Sequence, residues 1–362
     1  MNINTVILNE VSGYLYDYSS QDRSDFSFVE QNLTYEERQA HSTDIIKNIM
    51  MANGKQELNK YIADLAKIEK HTKALSSWQR DHVYHAVLTY LIGILLNEKF
   101  INTVATRKVS TFQWKLTGLF HDIGYPVQIA DNILNHVNDN IIAIDNKIIE
   151  SKRDEILKRI SSKRFFRVKT VDLELLTKDQ NSLDLIQKHI QEIWGLDIDS
   201  RYEYNLLKTG QRVCHGVISS LLLLHVLDIM YDVWNPERLY ENIFGAPPES
   251  HNINWNQTNF ENEVIPACSA IFLHNLPEDR FNSNKIDPQK ATLPFLLKLC
   301  DTLQEWQRPQ GENYAGHSPL DFNININNEK LIFYAKDPKI SKKIMNDLST
   351  TVMMDAIEIV HS

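Results

Sequence analysis

Apolar positions recur at helical spacing along most of this chain and switch to strict alternation only near its end. Residues 1–75 read as helical, with polar interruptions at 19–25 and around Asn53 and Gly54. The pattern predicts one helix over about 35–51 and another over about 56–71. From Ser76 or Ser77, either of which can cap, a further helix is predicted through SWQRDHVYHAVLTYLIGILLNEKF. The run WKLTGLFHDIGYP follows, with Trp114, Leu116, Leu119 and Phe120 carrying a helix to the pair His121 and Asp122. There Gly124 can take a left-handed conformation and Pro126 forbids continuation.

The most polar part of the chain comes next, over 131–205, and reads as a helical insertion between two halves of a core. Its basic cluster, from Lys152 to Arg167, is interleaved with acids at its start and reads as a solvated helix face. The core resumes in QRVCHGVISSLLLLHVLDIMYDVW, where small residues at Gly216 and Ser220 make room for a neighbouring helix. After a loop rich in Asn, Pro and acids come two more apolar helices, IPACSAIFLHNL and TLPFLLKLCDTLQEWQRP, with Pro266 and Pro294 placed near their starts. From Asp321 the period becomes two: FNININ, a turn at Asn328 and Glu329, then LIFYAKD, a hairpin. A last amphipathic helix is predicted over about 340–359. The expected fold is therefore mainly α, with an N-terminal helical segment (1–75), a helical core (76–310) carrying the insertion, and a C-terminal hairpin plus helix (311–362).

Composition narrows the function classes. The 362 residues are 43% hydrophobic and 23% charged, with only 11 Gly and 11 Pro, which argues for a folded soluble chain without long linkers. A net charge of −9 gives no strong signal for nucleic acid or anionic membrane and suits a small phosphorylated ligand better. The longest apolar runs are too short or too interrupted to span a bilayer. Three cysteines without paired spacing, and no apolar leader at the N-terminus, point to the cytoplasm. Self-association is left open.

Candidate chemistry is spread over several helices. With thirteen histidines in the chain, a His-Asp dipeptide is expected about once by chance, so the pair at 121–122 carries weight only through its company. That company is His85 on an earlier helix, His215 and His274 on later ones, and Asp301 in a helix so apolar that an unpaired carboxylate would be costly. His82 lies near His85 on the same face and is expected to support it. His225 lies ten residues beyond His215, about 15 Å along a helix axis, and is excluded from the same compact site. Four imidazoles and two carboxylates suit two adjacent divalent ions, one carboxylate bridging them. Imidazole-rich coordination favours Mn, Fe, Co, Ni or Zn, with Mg allowed.

In this order the residues resemble the HD superfamily of metal-dependent phosphohydrolases, whose motif is a His, a His-Asp pair, further histidines in two-metal members, and a distal Asp. His85, His121, Asp122, His215, His274 and Asp301 match those positions, and the resemblance covers roughly 76–130 and 206–310. It implies a helical HD-type bundle, a metal-binding site at those six residues, and hydrolysis of a nucleotide or other small phosphate ester, with Asp122 central to catalysis. Two departures stand out. Many members place a lysine shortly after the pair, where this chain has Tyr125, and the downstream signature of the cyclic-dinucleotide branch is missing. Cations near the ligands in sequence that could hold phosphate oxygens are Lys115 and Arg308, with Arg80, Arg212 and Lys298 behind them. Two other readings stay open: a di-iron oxygenase using the same ligand types, and a nonenzymatic nucleotide sensor.

Overall fold

The computed structural model describes residues 3–60, 62–63, 65–67, 81–125, 128, 182–234, 257–304, 322–327 and 330–361. Its hub is helix α3 (His82–Lys99), in which every side chain from His82 to Asn97 is buried. A helix apolar on all sides can be stable only when other elements cover all of it. Helices α1 (Ile3–Val11) and α2 (Tyr35–Ala52) pack on α3, as do α4 (Thr111–Phe120) and, later in the chain, α9 (Thr292–Leu303). Helix α2 begins with a reciprocal cap in which Thr34 and Glu37 satisfy each other's backbone amides. The expected N-terminal segment is thus helical, and its Ile3, Ile7, Leu8, Val11, Ile46 and Ile49 belong to the same buried cluster as the α3 side chains.

Helix α3 starts later than the pattern predicts. Asp81, not Ser76 or Ser77, is the N-cap of the described helix: its backbone is extended and its carboxylate accepts from the Tyr84 amide at 3.1 Å. Ser76 and Ser77 lie outside the described residues. Within α4, Trp114 is fully buried and donates its indole N–H to the Tyr90 carbonyl at 3.0 Å, so the largest side chain of that helix enters the core without a lost hydrogen bond.

Of the insertion, residues 182–205 are described and 131–181 are not. Helix α5 (Ser182–Lys188) runs into a wider π turn (His189–Ile193), and α6 (Ser200–Lys208) folds back beside it, capped by Asp199. Leu183, Leu185, Ile186, Ile190 and Trp194 are buried, and α5 packs on α7 (His215–Trp234) and α8 (Ile265–His274). Helices α7 and α8 pack closely, joined by a hydrogen bond from the Ser220 hydroxyl to the Cys268 carbonyl at 2.7 Å.

The C-terminal region contains the expected hairpin, β1 (Phe322–Asn327) antiparallel to β2 (Lys330–Ala335); the predicted turn residues Asn328 and Glu329 lie outside the described residues. The last helix, α10 (Pro338–Thr351), is shorter than predicted. The chain instead ends its ordered pattern in β3 (Ile357–Val360), parallel to β2 with Leu331 opposite Ile357. The run IEIV is β-branched at three of four positions, so its local preference is for a strand once an edge is on offer. Helix α10 packs against α9. No helix among the described residues is long and apolar enough to cross a membrane.

Gly124 corrects a second expectation. It is not among the glycines with positive φ. It is needed instead for approach: its N–H donates to the Ser219 hydroxyl at 2.8 Å, and a Cβ there would meet the Ser219 amide nitrogen at 2.7 Å and the His215 carbonyl at 2.8 Å. The segment after His121 is therefore pressed onto the backbone of α7. Gly124→Ala is expected to lose about 1–3 kcal/mol of stability in denaturant titration. Gly124→Asn should lose at least as much, whereas a purely conformational glycine would tolerate Asn.

Candidate metal centre

Each ligand candidate is delivered by an element end or a buried face. His85 stands one turn into α3, and His121 and Asp122 follow the last turn of α4. His215 opens α7, His274 closes α8, and Asp301 lies in the last turn of α9. The structure brings all six together in two groups, one of His85, His121 and Asp301 and one of Asp122, His215 and His274, each with its ligand atoms within 4.8 Å of one another. Each group can hold a metal ion.

Asp122 touches both. Its Oδ1 lies 3.2 Å from His215 Nε2 and 3.6 Å from His274 Nε2, while Oδ2 lies 3.5 Å from His121 Nε2 and 3.9 Å from His85 Nε2. Asp301 Oδ1 is 2.9 Å from His85 Nε2 and 3.9 Å from His121 Nε2. Between rings, His85 Nε2 and His121 Nε2 are 3.4 Å apart, and His215 Nε2 and His274 Nε2 are 3.0 Å apart.

The far side of each ring decides which nitrogen carries the proton. His121 Nδ1 faces the Gly118 carbonyl at 3.0 Å and His274 Nδ1 the Ile271 carbonyl at 2.6 Å. His85 Nδ1 faces Gln304 Oε1 and His215 Nδ1 faces Gln128 Oε1, both at 2.5 Å. An oxygen acceptor at every Nδ1 places the proton there and turns four Nε2 lone pairs inward, the arrangement that outer hydrogen bonds impose on metal-ligating histidines. Asn275 Nδ2 also lies 3.0 Å from His215 Nδ1, and we assign the proton by the shorter Gln128 contact.

Electrostatics agree. Burial is the largest influence on Asp122 and would raise its pKa, but His121, His215 and His274 together hold the carboxyl well below its ordinary range. Burial likewise opposes ionisation of Asp301, and the neighbouring His85 and His121 nonetheless hold its carboxyl well below its ordinary range. His215 is pushed down to about 4 by burial and is neutral at physiological pH. Carboxylate oxygens and Nε2 lone pairs turned toward one point repel each other unless a cation lies between them. The donor set therefore fits bound metal.

Small residues make the packing possible. A Cβ at Gly216 would lie 2.9 Å from His274 Cε1, so only glycine lets that ring lie against α7. His82 is buried and stacks on Tyr125 with ring centroids 3.5 Å apart, and Tyr125 meets His215 edge to face at 5.3 Å. His82, expected to support His85, thus stands through Tyr125 beside the second group of ligands. Asp301 is the most accessible ligand, its side chain 24% exposed against 11% for His215 and less for the others.

The cations chosen from sequence are not gathered in the same way. Lys115 is buried, is pushed down to about 8 by that burial, and donates to Asn53 Oδ1 at 2.9 Å, at the end of α2. Lys298 donates to the His274 carbonyl at 3.2 Å, and Arg212 pairs with Glu203. Arg308 and Arg80 lie outside the described residues. His225 belongs to neither ligand group. Sequence reasoning passed over Gln128, Asn275 and Gln304. The signal was present for two of them, since Asn275 directly follows His274 and Gln304 stands three residues after Asp301, each an amide beside a ligand in an apolar run.

No protein-family model, curated protein or solved structure matches this chain.

His121→Ala and Asp122→Ala are each expected to abolish retention of metal through gel filtration while leaving the far-ultraviolet circular dichroism helical. His225→Ala should keep wild-type metal content. Wild-type stoichiometry in both of the first two variants, or metal loss in the third, would contradict the assignment.

Proposed function

We propose that the six side chains hold two divalent ions and that the protein is an HD-type metal-dependent phosphohydrolase, cleaving a nucleotide or another small phosphate ester. The observation that carries this reading is Asp122. One oxygen faces His215 and His274 while the other faces His85 and His121, which is how a carboxylate bridges two ions. The chain order of the ligands, with a His-Asp pair at the centre, supports the family resemblance.

Ions of this kind, when bound, lower the pKa of coordinated water to near neutral and neutralise charge on a phosphoryl group. The chain's own part is to hold the donors. The Nδ1 hydrogen bonds fix each ring's tautomer and plane, so the ligands need no rearrangement as charge shifts at the site. The accessible edge of Asp301 gives the side from which a substrate approaches. Tyr125 stands where many family members have lysine, stacked on His82 and edge to face with His215. The buried, unpaired thiols of Cys214, Cys268 and Cys300 support a cytoplasmic location.

The test joins metal content to turnover. Purified protein is expected to carry close to two metal equivalents and to release phosphate or nucleoside from at least one of the nucleoside triphosphates, monophosphates or cyclic nucleotides, with activity lost to chelator and restored by Mn2+ or Co2+. His274→Ala should leave about half the metal and lower activity by at least about a hundredfold, because both ions clamp the phosphoryl group. A single equivalent in both proteins would refute the two-ion site. Bound iron with oxygen uptake and no phosphate release would replace hydrolysis by oxygenase chemistry.

A further inference from the structure

His215 and His274 occupy the outermost turns of α7 and α8, where the helices pass into loops. Helix ends open at lower free energy than helix centres, and a ligand on a frayed turn loses the fixed geometry that a metal site needs.

One buried side chain braces both of these ends. Glu203, on α6, is 3% exposed, and its carboxylate is shared by two arginines. Arg280 Nε donates to Oε1 at 2.6 Å, and Arg212 pairs with Oε2. Arg212 lies three residues before His215 and Arg280 six residues after His274. Two further contacts join the same strands of chain: the Cys214 thiol donates to the Asn275 carbonyl at 3.4 Å, and the Asn275 amide lies against the His215 ring. Helix α6 is in turn fixed to α5, where Ser200 Oγ donates to the Leu183 carbonyl at 3.1 Å and the Ser200 amide to Gln187 Oε1 at 2.5 Å. Arg280 is also held by Asp279 at 2.9 Å and lies over the Tyr202 ring at 5.2 Å. A buried carboxylate that takes one arginine on each of its oxygens ties the two segments of chain together through charge-assisted contacts.

We infer that Glu203 is a positioning residue for the second ion: by clamping Arg212 to Arg280 it holds the start of α7 and the end of α8 in register, so that His215 and His274 converge. The described part of the insertion then acts as the frame of half the metal centre. This inference rests on the two-ion reading above.

The test titrates Zn2+ against a chromophoric chelator into full-length protein freed of metal by dialysis, with thermal melting recorded beside it. Wild type should show two binding steps. Glu203→Gln keeps shape and removes charge; it should weaken one step by about 10–100-fold, the usual effect of losing an outer support, and leave the other within about threefold. In a His274→Ala background, which lacks the second site, Glu203→Gln should not change the remaining step. Arg280→Gln keeps Glu203 paired with Arg212 and should give a smaller loss confined to the same step, and Arg280→Lys should recover part of it. If Glu203→Gln does not fold, the Arg280 pair decides. Both steps weakening equally, or melting falling with neither step changed, would reduce Glu203 to a stabilising residue and overturn the inference. A wild type with a single step would remove the two-ion reading together with the inference, whereas two wild-type steps unmoved in the variants would remove the inference alone.

Discussion

The carboxylate of Asp122 sits at 7% side-chain exposure with imidazole nitrogens on both of its oxygens, and the architecture around it can be understood as the means of keeping it there. A buried anion is destabilising by several kcal/mol unless compensating groups meet it at close range. Its compensation comes from residues far apart in sequence, so five helices have to end or cross within one small volume. That requirement explains the hub helix buried on all sides, the close contact of α7 with α8, and the glycines at 124 and 216, where any side chain would collide with backbone or with a ligand ring.

Convergence alone would leave the rings free to turn. The Nδ1 contacts remove that freedom, and they do so economically, because two acceptors are carbonyls of the helix that carries the ring. His121 uses Gly118 and His274 uses Ile271, each three residues back, where the last carbonyls of a helix have no partner within it. A histidine at a helix C-terminus thus satisfies an orphan carbonyl and acquires the metal-binding tautomer by one hydrogen bond. His85, one turn inside its helix, has no such carbonyl to use and depends on Gln304, and His215, at a helix start, depends on Gln128.

The peripheral elements differ in how close they come to this centre. Among the described residues, the three-stranded sheet packs on α10, which in turn packs on α9. Helix α5 lies against the two helices that carry His215 and His274, and α6 packs on α5, which gives the described part of the insertion a direct bearing on the site. Its Leu183, Leu185, Ile186 and Ile190 are buried, and Glu203 is buried among arginines.

How much was legible in the sequence follows from which constraints are local. The helical class, the hairpin and the placement of proline near helix starts depend on spacing within one or two turns, and these were readable. The six residues that gather in the two groups were readable too, since a histidine or aspartate inside an apolar helix is costly without a partner, and that cost is written into its immediate neighbours. Where reading failed, a partner distant in sequence had decided. Gly124 looked like a left-handed cap and proved to be a contact with α7. The residues after Thr351 continued a helical pattern and were captured as a strand by the edge of β2. Lys115 lay near the pair in sequence, yet the fold turned it toward Asn53. Local periodicity and the expense of burying charge are properties of the chain itself. Which oxygen of Asp122 meets which ring, and which distant carboxylate braces the helix ends, are set by distances across the fold that arise only when the helices have packed.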